Sequence, residues 1–184
     1  VLAAQPITLT AVDASVTAPA TAPAGATIEV AWQGPDYDDD FIAIETPDGT
    51  RWQTYTYTHE GSPLEIEVPV APGDYEVRYV LGQGYEALVA SPITITPVSA
   101  KLTAPATGVA GTEIEVAWEG PGYPNDFVVV ETPGGTRWQT FTYTREGSPL
   151  KIALPETPGD YEIRYLLGQG YGAIASVPIT VTAE

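Results

Sequence analysis

The residues best suited to chemistry in this sequence are carboxylates: Asp36, Asp38, Asp39 and Asp40 crowd into DYDDDF, directly before the strand-like run that begins at Phe41. Hard oxygen donors so closely spaced in a loop suit Ca2+, and their alternation imitates the opening of an EF-hand loop. The imitation then fails, because Phe41 stands where such a loop needs glycine and Pro47 where it needs a bidentate glutamate. Ca2+ at these four aspartates is one expectation and a solvated loop the other; no further cofactor is indicated. Nucleophilic catalysis has little to work with. The chain holds one histidine, His59, no cysteine and no G-x-S-x-G. Without H-E-x-x-H, a P-loop or G-x-G-x-x-G either, it reads as a non-enzyme.

The remaining residues able to act are aromatic. Tyrosine and tryptophan held at a surface combine a flat apolar face with a hydrogen-bonding edge, which suits them to sugar rings or to a protein partner. Their placement depends on the elements that carry them, and those elements come in duplicate. At an offset of 86, residues 14–98 superpose on 100–184 without a gap, with 54 identities in 85 positions. IEVAWQGPDY pairs with IEVAWEGPGY, ETPDGTRWQTYTYTHEGSPL with ETPGGTRWQTFTYTREGSPL, and PGDYEVRYVLGQGY with PGDYEIRYLLGQGY. His59 becomes Arg145 and DYDDDF becomes GYPNDF, which keeps only Asn125 and Asp126. His59 is therefore expected to be a surface loop residue.

Alternation and turn chemistry predict seven strands per unit. Strand A runs from Ala14 to Ala18, before the turn-rich PATAPAG. Strand B is TIEVAW, with Ile28, Val30 and Trp32 facing the core and Glu29 facing solvent. Strand C is FIAIE, its near-continuous apolarity marking a central position. A Pro-Asp-Gly turn leads to RWQTYTYT, LEIEV and DYEVRYVL follow, and Gly82-Gln83-Gly84 turns the chain into the last strand. Parity puts Trp52 opposite Tyr55 and Tyr57, so either a bulge redirects one set or one set is exposed. The expectation is that Trp52 and Trp138 pack over the sandwich end or under a loop. Domain limits follow as 13–97 and 98–184. Residues 1–12 read as the last strand of a preceding unit plus its linker, since Pro6-Ile7-Thr8 falls on Pro92-Ile93-Thr94.

Seven short strands with a tyrosine at the bend in PGDYEVRY resemble an immunoglobulin-like or fibronectin type III-like β-sandwich. Tyr75 and Tyr161 stand two residues before inward positions Val77 and Ile163, the tyrosine-corner spacing. The phrasing PATAPAGATIEVAW, GSPL, PGDYEVRY and PIT is similar to bacterial immunoglobulin-like tandem repeats found in secreted proteins that carry a von Willebrand factor type A domain upstream. That resemblance implies two tandem seven-stranded sandwiches in an extracellular, cell-surface or periplasmic protein, and it carries no catalytic residue with it. In such a topology the loop between strands B and C, the loop before LEIEV and the Gly82-Gln83-Gly84 turn after DYEVRYVL meet at one end. Tyr37, Glu60, Gln83 and Tyr85, with counterparts Tyr123, Glu146, Gln169 and Tyr171, are thus the natural contact residues. Two uses stay open for them: packing against a neighbouring repeat of the same chain, or binding a surface glycan or protein.

Composition closes off other partners. Twenty-four acidic residues against seven basic ones give a net charge of −17, which repels nucleic acid and anionic membranes. No apolar run approaches the roughly 20 residues needed to span a bilayer, so no membrane insertion is expected. No leader-like segment opens the chain; an export signal, on this reading, lies upstream. With no Cys at all, stability must come from packing. The expected role is a non-catalytic rod or spacer with an adhesion or presentation task, the alternative a carbohydrate- or protein-binding module using the loop-end aromatics.

Overall fold

The computed structural model describes residues 5, 10–49, 52–135 and 137–183. The leading strand expected within 1–12 falls mainly on 1–4 and 6–9, outside the described residues. The chain divides into two compact units, one built mostly from residues before Thr96 and the other mostly from residues after it. In the first unit the strands are β1 (Ser15–Thr17), β2 (Thr21–Pro23), β3 (Thr27–Gln33), β4 (Phe41–Glu45), β5 (Trp52–Tyr57), β6 (Leu64–Glu67), β7 (Gly73–Val80) and β8 (Ala87–Thr96). The second repeats them as β9 (Lys101–Thr103), β10 (Thr107–Val109), β11 (Glu113–Glu119), β12 (Phe127–Glu131), β13 (Trp138–Tyr143), β14 (Leu150–Ala153), β15 (Gly159–Leu166) and β16 (Ala173–Thr182).

Each unit is an immunoglobulin-like sandwich of a three-stranded sheet, β1-β3-β6 or β9-β11-β14, and a five-stranded one, β2-β8-β7-β4-β5 or β10-β16-β15-β12-β13. Eight strands stand where seven were expected, because strand A divides. β1 pairs with β3, Ser15 opposite Gln33. Pro19 then offers no N–H to continue that ladder, and the chain crosses to the other sheet, where β2 lies beside β8; in the second unit β10 runs parallel to β16, Thr107 opposite Thr180. The turn chemistry of PATAPAG therefore conceals a short edge strand.

The inner faces carry the period-2 pattern. Val30, Ile42, Ile44, Ile66, Val77, Tyr79, Ile93 and Ile95 are buried in the first unit, as are Val116, Val128, Val130, Ile152, Ile163, Tyr165, Ile179 and Val181 in the second. Each such side chain contributes about 1.5–3 kcal/mol on removal from water. Tyr161 closes the expected corner, its hydroxyl donating to the Thr157 carbonyl at 2.9 Å. The fourth strand, β5 or β13, joins the five-stranded sheet as its edge. Its inward threonines reach across to the other sheet: Thr56 Oγ1 donates to the Glu65 carbonyl at 3.0 Å and Thr142 Oγ1 to that of Lys151 at 2.9 Å. These bonds close the side of the sandwich.

The repeated GSP step ends the ladder of β3 in its own way. Beyond Val30 opposite Leu64, the Ser62 hydroxyl accepts from Trp32 N at 2.9 Å and donates to Trp32 O at 2.8 Å. The side chain does there what a paired backbone would do. The Trp32 indole also donates to Gly61 O at 2.8 Å and meets Tyr79 edge-on at 5.5 Å. Trp118, Ser148 and Gly147 repeat the arrangement.

Candidate functional site

The aspartate run is split by the fold. Asp40, 1% exposed, turns inward. Its Oδ2 accepts from the Tyr79 hydroxyl at 2.8 Å and from Tyr37 N at 3.0 Å, and its Oδ1 from Gly82 N at 2.9 Å. Its carbonyl takes Thr58 N at 2.9 Å. One residue thus ties the β3–β4 loop, the β7–β8 turn and the 3-10 turn at Thr58–Glu60 to the core tyrosine. Burial and the bond to Asp40 raise the Tyr79 phenol well above its ordinary pKa, which keeps it a donor. Asp36, Asp38 and Asp39 stay exposed. Among the described residues no three carboxylate or histidine side chains gather as a metal-holding group. Asp40 is a structural tie whose carboxylate oxygens accept three hydrogen bonds from within the chain. Asp126 repeats it with Tyr165 at 2.7 Å, Tyr123 N at 3.0 Å and Gly168 N at 2.9 Å.

The loop-end residues are also divided. Tyr37 and Gln83 line one hollow with Asp36, Asp38, Asp40 and Leu81. Glu60 is exposed beside His59, at 3.5 Å. In the second unit Tyr123 packs at the edge of the core, Glu146 is exposed and Gln169 is half-buried. Tyr85 and Tyr171 belong elsewhere: each sits at positive φ, 56° and 53°, and lays its ring against the outer face of the five-stranded sheet.

That face is the most developed surface of each unit. Because Ile42 and Ile44 point inward, Phe41, Ala43 and Glu45 of β4 point outward, yet all five residues of the strand are buried. The cover is aromatic. Phe41, 3% exposed, is ringed by Trp52, Tyr55, Tyr57 and Tyr85 at centroid distances of 4.8, 5.6, 6.3 and 6.4 Å. Trp52 joins this face through a bulge. Ile44 pairs with Thr54 but Glu45 with Trp52, so Gln53 is the extra residue and the parity of Trp52 inverts. The tryptophan therefore does not cover the sandwich end; it lies on the sheet face, 38% exposed, with Tyr85 at 5.2 Å. Phe127, Trp138, Phe141, Tyr143 and Tyr171 form the same array, with Phe127–Trp138 at 5.0 Å and Trp138–Tyr171 at 5.3 Å.

Beneath the rings lies an ion pair. Glu45, 2% exposed, accepts from Arg78 Nη1 at 3.0 Å, and Arg78 also grips Glu76 at 2.6 Å. Burial raises the Glu45 pKa, opposed by Arg78 and by the Trp52 side chain bonded to its carboxyl. In the second unit Arg164 pairs with Glu131 at 2.6 Å. A planar nitrogen-bearing group caps the lower tyrosine in both copies: His59 stacks on Tyr57 at 5.4 Å and 15°, and the Arg145 guanidinium lies 4.0 Å from the Tyr143 centroid. The Tyr57 phenol titrates above its ordinary range, chiefly because Tyr55 stands beside it. Phe41 and Phe127 escape sequence reading as site residues. Their signal is an apolar side chain at an outward parity position of a central strand.

No protein-family model matches this sequence, and no curated protein matches it. Solved structures similar to the chain include the BSP domain of a biofilm-associated protein, at 14% identity and TM-score 0.36 over 91% of this chain and 29% of the other. Another is the Yersinia pseudotuberculosis adhesin InvE, at 13% and 0.34 over 92% and 58%. A two-domain fibronectin type III segment of chicken tenascin matches at 16% and 0.34 over 92% and 97%. The chain spans less than two thirds of the length of the first two. The fold assignment rests on the strand ladders themselves.

Proposed function

We propose that this chain is a non-catalytic adhesion and spacer segment working outside the cell, in which each immunoglobulin-like unit offers its aromatic sheet face to a partner. The observation that carries the reading is the duplicated face itself. In the first unit Trp52, Tyr55, Tyr57 and Tyr85 are 38, 53, 37 and 65% exposed, and in the second Trp138, Phe141 and Tyr171 are 42, 53 and 60% exposed. Contiguous exposed aromatics of this kind mark interaction surfaces. A surface serving solubility alone would carry charge at these positions. Two faces on one chain also allow avidity, which raises apparent affinity by about 100-fold or more without any new contact. Only four residues separate Thr96, the end of β8, from Lys101, the start of β9, a short connection of the kind a spacer needs.

Beads coated with the chain and challenged with panels of immobilised proteins and glycans test the reading. Retention on at least one surface is expected, falling by about tenfold or more when Trp52→Ala and Trp138→Ala are combined. Equal retention of wild type and double variant would overturn the role of the face.

A further inference from the structure

The two faces share their ring geometry but not their charge, and that difference identifies a partner. We propose that the aromatic face of the first unit docks a cationic polypeptide segment, its arginine side chains laid over Trp52, Tyr55 and Tyr85. This rests on the face being a binding surface, and it adds the chemistry of what is bound.

The molecule itself displays that chemistry. In the second unit Arg145 places its guanidinium 4.0 Å from the centroid of Tyr143. The equivalent ring in the first unit, Tyr57, carries the His59 imidazole in a parallel stack. Both copies thus cover the same ring with a planar nitrogen-bearing group and leave the other rings exposed, Trp52, Tyr55 and Tyr85 in the first and Trp138, Phe141 and Tyr171 in the second. Ring faces attract cations through their quadrupoles, and guanidinium does so best because it can also stack.

Charge complementarity favours an outside cation at the first face. Asp39 lies close enough to act on the Tyr57 phenol, and exposed Glu86 directly follows Tyr85. Asn125 and Gly172 stand at those places in the second unit, where Arg145 adds a cation of its own. The first face therefore has two carboxylates more and one guanidinium less. The protein's net charge of −17 draws a basic segment in from a distance. The ring angles disfavour the other reading, a sugar chain. Trp52–Tyr55, Trp52–Tyr85 and Tyr55–Tyr57 meet at 61°, 65° and 82°, so neighbouring rings share no plane on which a pyranose could lie. A guanidinium needs only one ring face at a time.

Titration calorimetry of the full chain with an arginine-rich nonapeptide, its lysine counterpart and a panel of neutral oligosaccharides decides the matter. The arginine peptide is expected to bind more tightly than the lysine one. Trp52→Ala with Tyr85→Asn changes no charge, asparagine tolerating the positive φ of 56° at that position, and is expected to weaken arginine-peptide binding about tenfold or more. Trp138→Ala with Tyr171→Asn should leave it within about twofold. Tyr85→Asn alone, at a side chain 65% exposed, keeps the test valid if the double variant melts early. Equal binding by wild type and both first-unit variants would show attraction by net charge alone and overturn the proposal. So would neutral oligosaccharides binding at this face without the peptide, a result that leaves the face a binding surface. Loss of adhesion to every surface, with no peptide bound, would overturn both.

Discussion

Asp40 and Asp126 hold their three donors at distances that agree within about 0.1 Å, while the residues just before them have drifted from Asp38-Asp39 to Pro124-Asn125. The contrast between the copies follows a physical line. The buried acceptor and its donors are repeated, and so are exposed rings such as Tyr85 and Tyr171, whereas the acidic loop residues before Asp40 change and their charge changes with them. Tyr55 has become Phe141 without disturbing the ring array, since 5.6 Å from Phe41 compares with 5.9 Å from Phe127. Each copy is a control for the other, and the difference between them separates what builds the sandwich from what decorates it.

The hardest way to break the equivalence is through the buried aspartate. Asp40→Ala and Asp126→Ala each leave a core tyrosine hydroxyl and two backbone N–H groups without an acceptor, and should cost their own unit about 3–5 kcal/mol. Denaturant unfolding followed by hydrogen exchange, read unit by unit, should show equal losses; a loss in one unit only would break the symmetry of the tie.

A smaller effect separates the ion pairs. Glu45 has a folded-state pKa above its ordinary 4.5 because burial outweighs Arg78. Its contribution is therefore present below 4.5 and lost as pH rises through the folded value. Wild type should gain on Glu45→Gln as pH falls from 7 toward 4.5, monitored by melting both proteins across that range. A constant difference would show that Arg78 cancels the burial.

Smaller again is a cross-strand pair. Glu29 faces Glu65 on β3 and β6, whereas Glu115 faces Lys151 on β11 and β14. Like charges directly opposite destabilise and opposite ones stabilise, so Glu65→Lys should raise the first unit's stability by about 0.5 kcal/mol at low salt. The gain should shrink in 1 M salt. Smallest is Tyr55→Phe, which copies the second unit at a ring 53% exposed and should change stability by less than about 0.5 kcal/mol. A larger loss would give the Tyr55 hydroxyl a structural task that Phe141 does without.

The duplication, strands B through the last, the inward set Ile28, Val30 and Trp32, and the outward Glu29 were legible because a two-residue period leaves its mark in composition. The division of strand A was not. Proline reads as a turn, yet Thr21–Pro23 holds an edge position where a missing donor does no harm. The parity conflict at Trp52 was visible, but its resolution required the single extra residue Gln53, which no alternation reveals. The inward turn of Asp40 was not legible for a similar reason. Acidic residues are almost never fully buried without partners, so four within five positions read as a hydrated or cation-holding loop. The partners of the one that turns inward, Tyr79 and Gly82, lie about forty residues away. Tyr37, Gln83 and Tyr85 are exposed, as loop-end positions were expected to be, but the face that Tyr85 joins was not legible, because Phe41 was read only as part of a central strand.

The hydroxyl that follows the last β3–β6 pair bears on how each unit opens. Terminal residues of short ladders ordinarily fray, and their amides exchange with solvent long before the whole molecule unfolds. At Trp32 the main-chain N–H, the carbonyl and the indole are all engaged by Ser62 and Gly61. Releasing that end means breaking three bonds together while lifting an indole off Tyr79. With Val16 of β1 paired to Trp32 on the other side, both edges of β3 at this point are drawn into the cooperative unit.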